Sequence, residues 1–299
     1  MIVEGAIIYS NLLVLLALGL ALTYITTGVP NFAQGSFAIV GSYLALTISN
    51  FSAINPYFTL PFLFVGGGIL GAFCYTLLRP LIKRKASIDI LMIATLAIDL
   101  ILLGVIGAYS DILSKIIGFT QAKFVFSQYD FYLLGFKGIF FMSLFVTLFL
   151  LFSLFFLLYK TKFGTAMRAA MENPALAVTV GIDISKTRLI SWILSGGLAA
   201  VAGGLLPFMQ EIVPLTGSYI LVSIFAASIV GGLSNITGAL LGGYVIGFSE
   251  SIVTYYLTFI FGSSFLVYGK VVSLIIMIIT LLLAPKGLVS IISKFLKRS

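Results

Sequence analysis

Long apolar runs alternate with short polar connections along the whole chain. Six such runs follow Arg79, and they cover residues 88–108, 138–159, 189–210, 218–232, 238–260 and 269–285. Three further runs precede Arg79 and are separated by turn residues at 28–31 and around Asn55-Pro56. A bilayer core about 30 Å thick requires about 20 apolar residues per helix, so most of these runs can cross it. The pattern predicts an all-α, polytopic transmembrane bundle with eight or nine spans.

Composition supports the same class and narrows the chemistry. Apolar residues make up 61% of the chain, charged residues 9%, and the mean hydropathy is +1.20, whereas soluble domains carry about 25% charged residues. The chain has one cysteine, Cys74, and no histidine, which excludes an internal disulfide, a Cys/His metal site and an imidazole acid–base pair. We interpret residues 1–299 as one membrane domain with no catalytic residue, no metal ion and no nucleic-acid partner.

Most of the basic residues lie in three polar segments, which predict the orientation of the chain. These residues are Arg79, Lys83, Arg84 and Lys85; Lys160, Lys162, Arg168, Lys186 and Arg188; and Lys286, Lys294, Lys297 and Arg298. Because basic residues are retained on the cytoplasmic side, all three segments and the C-terminus are expected there. The connection between the apolar runs 88–108 and 138–159 is then extracytoplasmic, and it holds Asp111, Lys115, Lys123 and Asp130. If all three N-terminal runs cross, there are nine spans and an external N-terminus; if one dips in and returns, there are eight and the N-terminus is internal.

Gly28 and Pro30 interrupt the apolar sequence between residues 12 and 45. Proline removes a backbone donor and restricts the residue before it, so a helix is expected to break here. Irregular backbone at membrane depth occurs only where protein buries it or water reaches it. Residues 31–35 are therefore either an interfacial turn or a broken segment lining a central pathway, with the Asn31 and Gln34 amides facing substrate or a partner subunit.

Glycines spaced four residues apart predict close contacts between helices. The pairs are Gly67 and Gly71, Gly238 and Gly242, and Gly243 and Gly247. The stretch Gly231-Gly232-Leu233-Ser234-Asn235 separates two apolar runs and predicts a sharp hairpin near the cytoplasmic surface.

Three acidic residues fall in or beside apolar runs, where ionisable groups are costly and usually functional. Asp89 can reach the basic loop and is expected at the interface, Asp99 lies about mid-span, and Glu250 lies near the end of the glycine-rich run. With no intramembrane Lys, Arg or His to pair with them, Asp99 and Glu250 are interpreted as bundle-packing residues.

Residues 160–188, called the polar segment below, hold seven charged residues between two apolar runs. A first short helix is expected to open at Gly164. In this helix Arg168 and Glu172 are four residues apart and able to form an ion pair.

A second short helix is expected at Pro174–Val180, because Asn173 is a good N-cap and proline fits the first helical position. Gly181 can end this helix in a left-handed C-cap. The helix is nearly all small or apolar and should not stay exposed. It either lies on the inner leaflet, stabilised by anionic lipid, or inserts into a groove on a cytosolic partner.

The sequence GTAMRAAMENPALAVTVGI, which begins at Gly164, resembles the cytoplasmic coupling segment of the permease subunits of branched-chain amino acid ABC importers. In that family a Gly-x-x-x-Arg-Ala sequence precedes Asn-Pro, an alanine-rich turn and Gly-Ile. Three further stretches fit the family in the same order: NFAQG from Asn31, GGLSNITGALLGGYVIGFSES from Gly231, and LLLAPKGLVS near the C-terminus. The resemblance spans most of the chain and implies the first of the two permease types, which is short and lacks an added domain.

The resemblance also implies the partners and the site residues. Two such permeases, usually different chains, form the translocation path; two ATP-binding subunits dock on the cytoplasmic loops; an extracytoplasmic binding protein delivers leucine, isoleucine, valine or related solutes. By matching position, the ATPase-coupling residues would be Gly164, Arg168, Ala169, Asn173, Pro174, Ala177 and Gly181. The candidate pathway residues are Asn31, Phe32, Gln34, Gly35, Gly231, Gly232 and Glu250. ATP would be bound by the partners, so this chain is expected to hold no cofactor, and it lacks a phosphate-binding glycine loop.

Two positions depart from the family pattern, and they leave the identity of the transported solute open. Asp99 stands in a span that is usually uncharged, and Gln34 stands where histidine is frequent. Related permeases handle urea, short amides and other polar solutes, so such a solute is the first alternative. The second is a self-contained, ion-coupled secondary transporter that uses Asp99 and Glu250 and works without ATP or partners.

Overall fold

The computed structural model describes residues 2–117, 123–262, 264, 268–285 and 287–289. Within them the chain forms eleven α-helices: α1 (Ile2–Thr27), α2 (Gln34–Ser52), α3 (Leu60–Lys83), α4 (Ile88–Ile117), α5 (Gly138–Lys160), α6 (Lys162–Glu172), α7 (Pro174–Thr179), α8 (Ile184–Leu205), α9 (Thr216–Gly231), α10 (Ile236–Phe261) and α11 (Gly269–Leu283). Two short antiparallel strands, β1 (Tyr132–Leu133) and β2 (Phe136–Lys137), form a hairpin ahead of α5. The predicted all-α class is confirmed.

Six of the described helices are long and apolar enough to cross a membrane. They are α1, α3 with the 3₁₀ turn Pro56–Thr59 that precedes it, α4, α5, α8 with the 3₁₀ turn that follows it, and α10. Helices α9 and α11 are apolar but shorter, at 16 and 15 residues. The chain is therefore a multi-pass membrane protein.

Helix α1 lies at the centre of the bundle, in contact with α5, α8, α9 and α10. Its residues from Leu12 to Leu22 are buried, as expected of a helix that is apolar on every side. The one amide on this helix is paired across the bundle: Asn11 Nδ2 donates to Ser143 Oγ at 3.3 Å, and the Tyr244 hydroxyl donates to Asn11 Oδ1 at 3.0 Å.

Glycines set the separation between the most closely packed helices. A Cβ at Gly67 of α3 would collide with the Gly196 carbonyl of α8, and a Cβ at Gly71 would collide with the Trp192 carbonyl. On α10, Gly243 and Gly247 meet the backbone of α1 in the same way. The close contacts predicted from the glycine spacing are confirmed.

Two contacts define the ends of the bundle. Where α1 begins, the Lys137 backbone N–H donates to Glu4 Oε1 at 2.9 Å, so this end is called the hairpin end. Where α1 finishes, Arg188 Nε donates to the Thr26 carbonyl at 2.9 Å, and the polar segment lies at this opposite end. Of the basic residues used to predict orientation, Lys286, Lys294, Lys297 and Arg298 lie outside the described residues.

One boundary predicted from charge is wrong. Helix α4 continues to Ile117, so Asp111 and Lys115 lie in its last turns and not in the polar connection. Both residues are exposed. A charged side chain near a helix end can reach water while its stem stays against apolar surface, so charge alone does not end the helix.

Candidate functional site

Helix α6 of the polar segment is held against the end of α5. It begins at Lys162, two residues before the predicted start, and Gly164 lies inside it, where a Cβ would collide with the Leu158 carbonyl. Arg168 Nη1 donates to that same carbonyl at 2.5 Å, and its guanidinium lies 5.6 Å from the centre of the Tyr159 ring. The last carbonyls of a helix lack internal partners and attract cations.

The predicted ion pair between Arg168 and Glu172 is wrong for the part of the chain that the structure describes. The ion pairs found there join Lys123 to Glu211, Lys186 to Asp183 and Lys270 to Glu250. The Arg168 side chain is directed to the end of α5, where it satisfies an otherwise unpaired carbonyl.

The caps of α7 are those that the sequence predicts. Asn173 Oδ1 accepts from the Leu176 backbone N–H at 3.1 Å, and the helix ends at Thr179, one residue earlier than expected. Gly181 has φ of +83°, and the Ile182 N–H donates to the Ala177 carbonyl at 3.0 Å. This is a Schellman-type C-cap, which requires a left-handed residue.

Burial distinguishes the predicted coupling residue Ala177 from its apolar neighbours. Ala177 is 2% exposed and packs inside the chain, whereas Leu176, Val178 and Val180 are 59–70% exposed. Ala169 is half-buried, and its carbonyl accepts from the Asn173 N–H at 3.1 Å. The apolar surface that α7 offers is therefore formed by residues outside the predicted set, next to the predicted positions.

Asp183 caps α8 and provides a test of this connection. Its Oδ1 accepts from the Lys186 backbone N–H at 3.1 Å, and this bond, with the Lys186 ammonium nearby, lowers the pKa of Asp183. Because the folded pKa is the lower one, the cap stabilises the protein above the ordinary pKa of about 3.9 and is lost as the pH falls through the lowered value. We expect Asp183→Asn, which keeps the capping oxygen, to reduce slightly the loss of thermal stability between about pH 5 and pH 3. An unchanged pH dependence of the unfolding midpoint would contradict this role.

The broken segment between α1 and α2 is buried inside this chain. Asn31 is 1% exposed and Gln34 is 0% exposed. Asn31 Nδ2 donates to Gln34 Oε1 at 3.2 Å, Ser195 Oγ donates to the same oxygen at 3.0 Å, and Gln34 Nε2 donates to the Leu16 carbonyl at 3.4 Å. The two amides thus join α1, α2 and α8.

The neighbouring predicted residues pack against α9. The Phe32 ring lies 4.9 Å from the Phe225 ring, centre to centre, and Gly35 meets the backbone of Gly217. The break therefore lies between α1, α8 and α9 rather than in an exposed turn, and the amides of Asn31 and Gln34 are paired inside the chain.

Gly231 and Gly232 form a tight connection at the polar-segment end. Gly232 has φ of +105°, Gly231 packs on the backbone of Gly238, and Asn235 Oδ1 caps α10 by accepting from the Gly238 N–H at 3.2 Å. The predicted sharp hairpin between these two helices is confirmed. It stands apart in the fold from Glu250, which lies in the middle of α10.

Glu250 belongs to a buried charge cluster that the sequence did not predict. Its Oε1 is paired with Lys270 Nζ, and its Oε2 accepts from Ser223 Oγ at 2.7 Å and Ser273 Oγ at 2.6 Å. Lys270 Nζ also donates to the Tyr9 hydroxyl at 2.9 Å. The cluster joins α1, α9, α10 and α11.

The expectation that no basic residue pairs with the intramembrane acids is therefore wrong for Glu250. Lys270 is the second residue of α11 and lies inside the apolar run predicted at 269–285. Helix α11 starts beside the middle of α10, as the packing of Gly269 against Thr254 shows. The signal available in the sequence was a lysine near the start of an otherwise apolar run.

A cavity of about 620 Å³ opens beside this cluster. Its lining combines the polar groups of Glu250 and Lys270 with Tyr9, Gln210 and Thr254, and further residues of α1, α9, α10, α11 and the α8–α9 connection complete it. The volume is within the range of small-molecule sites, about 300–1,000 Å³.

Asp99, the other intramembrane acid, lies on α4 and is 9% exposed. Its Oδ1 accepts from Ser36 Oγ of α2 at 2.6 Å. This bond joins two helices, in keeping with a packing role. Among the described residues, no group of three or more Cys, Asp or Glu side chains could hold a metal ion.

Comparison with known proteins gives the family. The family model described as the branched-chain amino acid transport system / permease component matches residues 2–281. The probable branched-chain amino acid transport permease protein LivH of Methanocaldococcus jannaschii is 71% identical over 100% of this chain and 95% of its own length. The high-affinity branched-chain amino acid transport system permease protein LivH of Escherichia coli is 25% identical over 92% of this chain and 90% of its own. The guanosine ABC transporter permease protein NupQ of Bacillus subtilis is 25% identical over 84% and 81%.

The buried glycine contacts, the capped helix pair and the multi-pass bundle all fall within the matched residues. The chain therefore belongs to the family of permease components of branched-chain amino acid transport systems.

Proposed function

We propose that this permease forms half of the path by which branched-chain amino acids enter the cell, and that ATP hydrolysis on partner subunits drives it. The observation that carries the proposal is the exposed apolar surface of α7 on a basic segment, within a chain that is 71% identical to a permease named for these solutes. A polar solute of another class, such as a nucleoside, is the alternative, because a guanosine permease is a more distant relative.

The polar segment and the C-terminus face the cytoplasm in this proposal. Basic residues are retained on that side, and Arg188 joins the polar segment to the end of α1. Glu4 is bonded to the hairpin at the opposite end, so the N-terminus is extracytoplasmic. The chain then passes through the bilayer nine times, at α1 to α5 and at α8 to α11, and helices α2 and α11 form only part of their passes.

The partners follow from this arrangement. Two ATP-binding subunits supply the nucleotide chemistry, a second permease completes the path, and an extracytoplasmic binding protein delivers the solute. This chain itself holds no cofactor. For ATP binding to change the path, the paired ATPases must contact the two states of the bundle with different free energies.

The coupling surface comprises the exposed apolar residues of α7 and its C-cap, which are Leu176, Val178 and Val180. Three predicted residues fix the position of that surface. Ala177 is buried beneath it, and Asn173 and Gly181 cap the two ends of α7. Gly164 and Arg168 seat α6 on α5, and through it they set the position of α7. The position of this surface thus depends on contacts with the transmembrane bundle.

Val178→Asp tests the coupling surface. An unpaired carboxylate pressed into an apolar groove loses its hydration, and we expect leucine uptake in proteoliposomes with the complete importer to fall about tenfold or more, equivalent to about 1.4 kcal/mol. ATP hydrolysis should lose its stimulation by the loaded binding protein, while membrane insertion is unchanged.

Ser87→Asp is the matched control. It adds the same charge at the start of α4, where the Ser87 hydroxyl already accepts from the Ile90 N–H at 3.4 Å and an aspartate is tolerated. Full coupled uptake by Val178→Asp would overturn the proposed docking surface. Uptake by the wild-type permease alone, without ATP, would instead support the secondary-transporter alternative.

A further inference from the structure

The hairpin ahead of α5 carries an unusual residue at its tip. Tyr132 pairs with Lys137 and Leu133 with Phe136, which leaves Leu134 and Gly135 as a two-residue turn. Both have positive φ, +51° and +81°. Such turns favour Asn, Asp or Gly at the first position, because a side chain with φ in this region is strained.

The strained leucine is also exposed. Leu134 is 84% exposed, and its neighbours in the hairpin are apolar and exposed as well: Phe131 at 43%, Tyr132 at 75%, Leu133 at 50% and Phe136 at 44%. Burying a leucine or phenylalanine side chain contributes about 1.5–3 kcal/mol. A hairpin that combines backbone strain with five exposed apolar side chains gains nothing from facing water.

The base of the hairpin is rigid, so it presents this surface in a fixed direction. Asp130 Oδ1 accepts from the Phe131 N–H at 2.9 Å, the Ile139 N–H at 3.1 Å and the Tyr57 hydroxyl at 2.8 Å. The Gly138 N–H closes the loop by donating to the Phe131 carbonyl at 2.6 Å. One carboxylate thus joins both ends of the hairpin to the 3₁₀ turn before α3 and to the start of α5.

The apolar surface of the hairpin continues into the outer face of α5. The Phe136 ring is stacked on the Phe140 ring at 5.3 Å between centres. Further along α5, Phe145, Phe149 and Phe152 are 59–73% exposed, as residues that face lipid are. Tyrosines and aromatic clusters are enriched where such a face meets the headgroups.

We propose that this hairpin is a membrane anchor, with Leu134 in the acyl region and Tyr132 at the headgroups of the leaflet in which α5 begins. Under the orientation proposed above this is the outer leaflet, but the anchoring itself requires only that α5 crosses the bilayer. The Lys137 side chain, which is exposed at the end of β2, can reach the lipid phosphates.

The single tryptophan of the chain makes the test direct. Trp192 is buried, and Trp192→Phe provides a background in which Leu134→Trp is the only indole. In proteoliposomes with the permease complex but no binding protein, we expect the fluorescence that Leu134→Trp adds to that of the Trp192→Phe complex to be quenched by lipids brominated near the headgroup end of the acyl chain. Aqueous iodide should quench it little.

Two control positions calibrate depth in the same background. Phe149→Trp, on the exposed face of α5, should be quenched best by bromines near the chain centre, and Gln128→Trp, in the loop before the hairpin, should be quenched by iodide. If Leu134→Trp behaves like Gln128→Trp, the anchor is disproved. Protection of that probe by added binding protein would then assign the hairpin to protein docking.

A second label covers the case in which Trp192→Phe does not fold. Cys74 is the only cysteine and is buried, so a spin label at Leu134→Cys in a Cys74→Ala background reports the same depth. Greater accessibility to oxygen than to a water-soluble nickel complex supports the anchor, and the reverse overturns it. Neither readout depends on which solute the permease carries.

Discussion

Lys270→Met is expected to lower the free energy of unfolding by about 3–5 kcal/mol, because it leaves the Glu250 carboxylate buried without a cation. The side chain of Glu250 is 9% exposed and that of Lys270 is 30% exposed. The serine hydroxyls that remain can bond the carboxylate but cannot neutralise it. Thermal unfolding of the purified permease in detergent measures the change.

A double variant distinguishes the energy of the ion pair from the effects of the two individual substitutions. Glu250→Gln with Lys270→Met removes both charges, and replacing a buried pair by uncharged residues is often close to neutral. We therefore expect the double variant to recover most of the stability that Lys270→Met loses. Additive losses from the two substitutions would show that the pair contributes no coupling energy.

Lys115→Met is the control for loss of a lysine. Lys115 is exposed on the last turns of α4, so its replacement is expected to change stability by less than about 0.5 kcal/mol. An equal loss of stability in the control and in Lys270→Met would show that the loss comes from the change in net charge and not from the buried cluster.

Gly196→Leu is expected to separate α3 from α8, with a cost of about 3 kcal/mol or more. Adding volume to a packed core costs about 1–3 kcal/mol when side chains can move aside. Here the obstacle is backbone: the new Cβ would meet the Gly67 carbonyl and the Gly71 amide nitrogen. The unfolding midpoint and the yield of folded protein measure the effect.

Gly104→Leu is its matched control, since it makes the same change inside another membrane helix. A Cβ at Gly104 meets nothing within 4 Å, and leucine favours the helix over glycine by about 0.5–1 kcal/mol. The control should therefore be neutral or stabilising. If both variants lose the same stability, the loss in Gly196→Leu does not come from the close approach of α3 and α8.

Local signals in the sequence predict local structure well. The pattern Asn173-Pro174 followed by Gly181 gives the start and end of α7 to within one residue, because caps are formed by the residues beside the helix end. The glycine pairs mark which helix faces come close, although they do not name the partner helix. The resemblance of the polar segment gives the family that the comparisons show.

Side-chain partners from distant segments are not predictable in this way. Lys270 and Glu250 meet only because α11 starts beside the middle of α10. Ala177 fits a contact role by position, but the packing of α7 buries it and exposes Leu176 and Val178. The break at Asn31 is predicted, yet the sequence leaves open whether its amides face a pathway or the interior of the chain.

By itself, the sequence determined the membrane class, most helix positions, the helix break, the caps of α7 and the family. Each of these depends on the length of an apolar run, on residues next to one another, or on a motif. Only the tertiary structure decided which apolar faces are buried, where the amides of Asn31 and Gln34 point, and which cation pairs with Glu250. The reason is that lipid and protein interior are equally apolar, so hydrophobicity places a helix in the membrane without showing which side meets another helix.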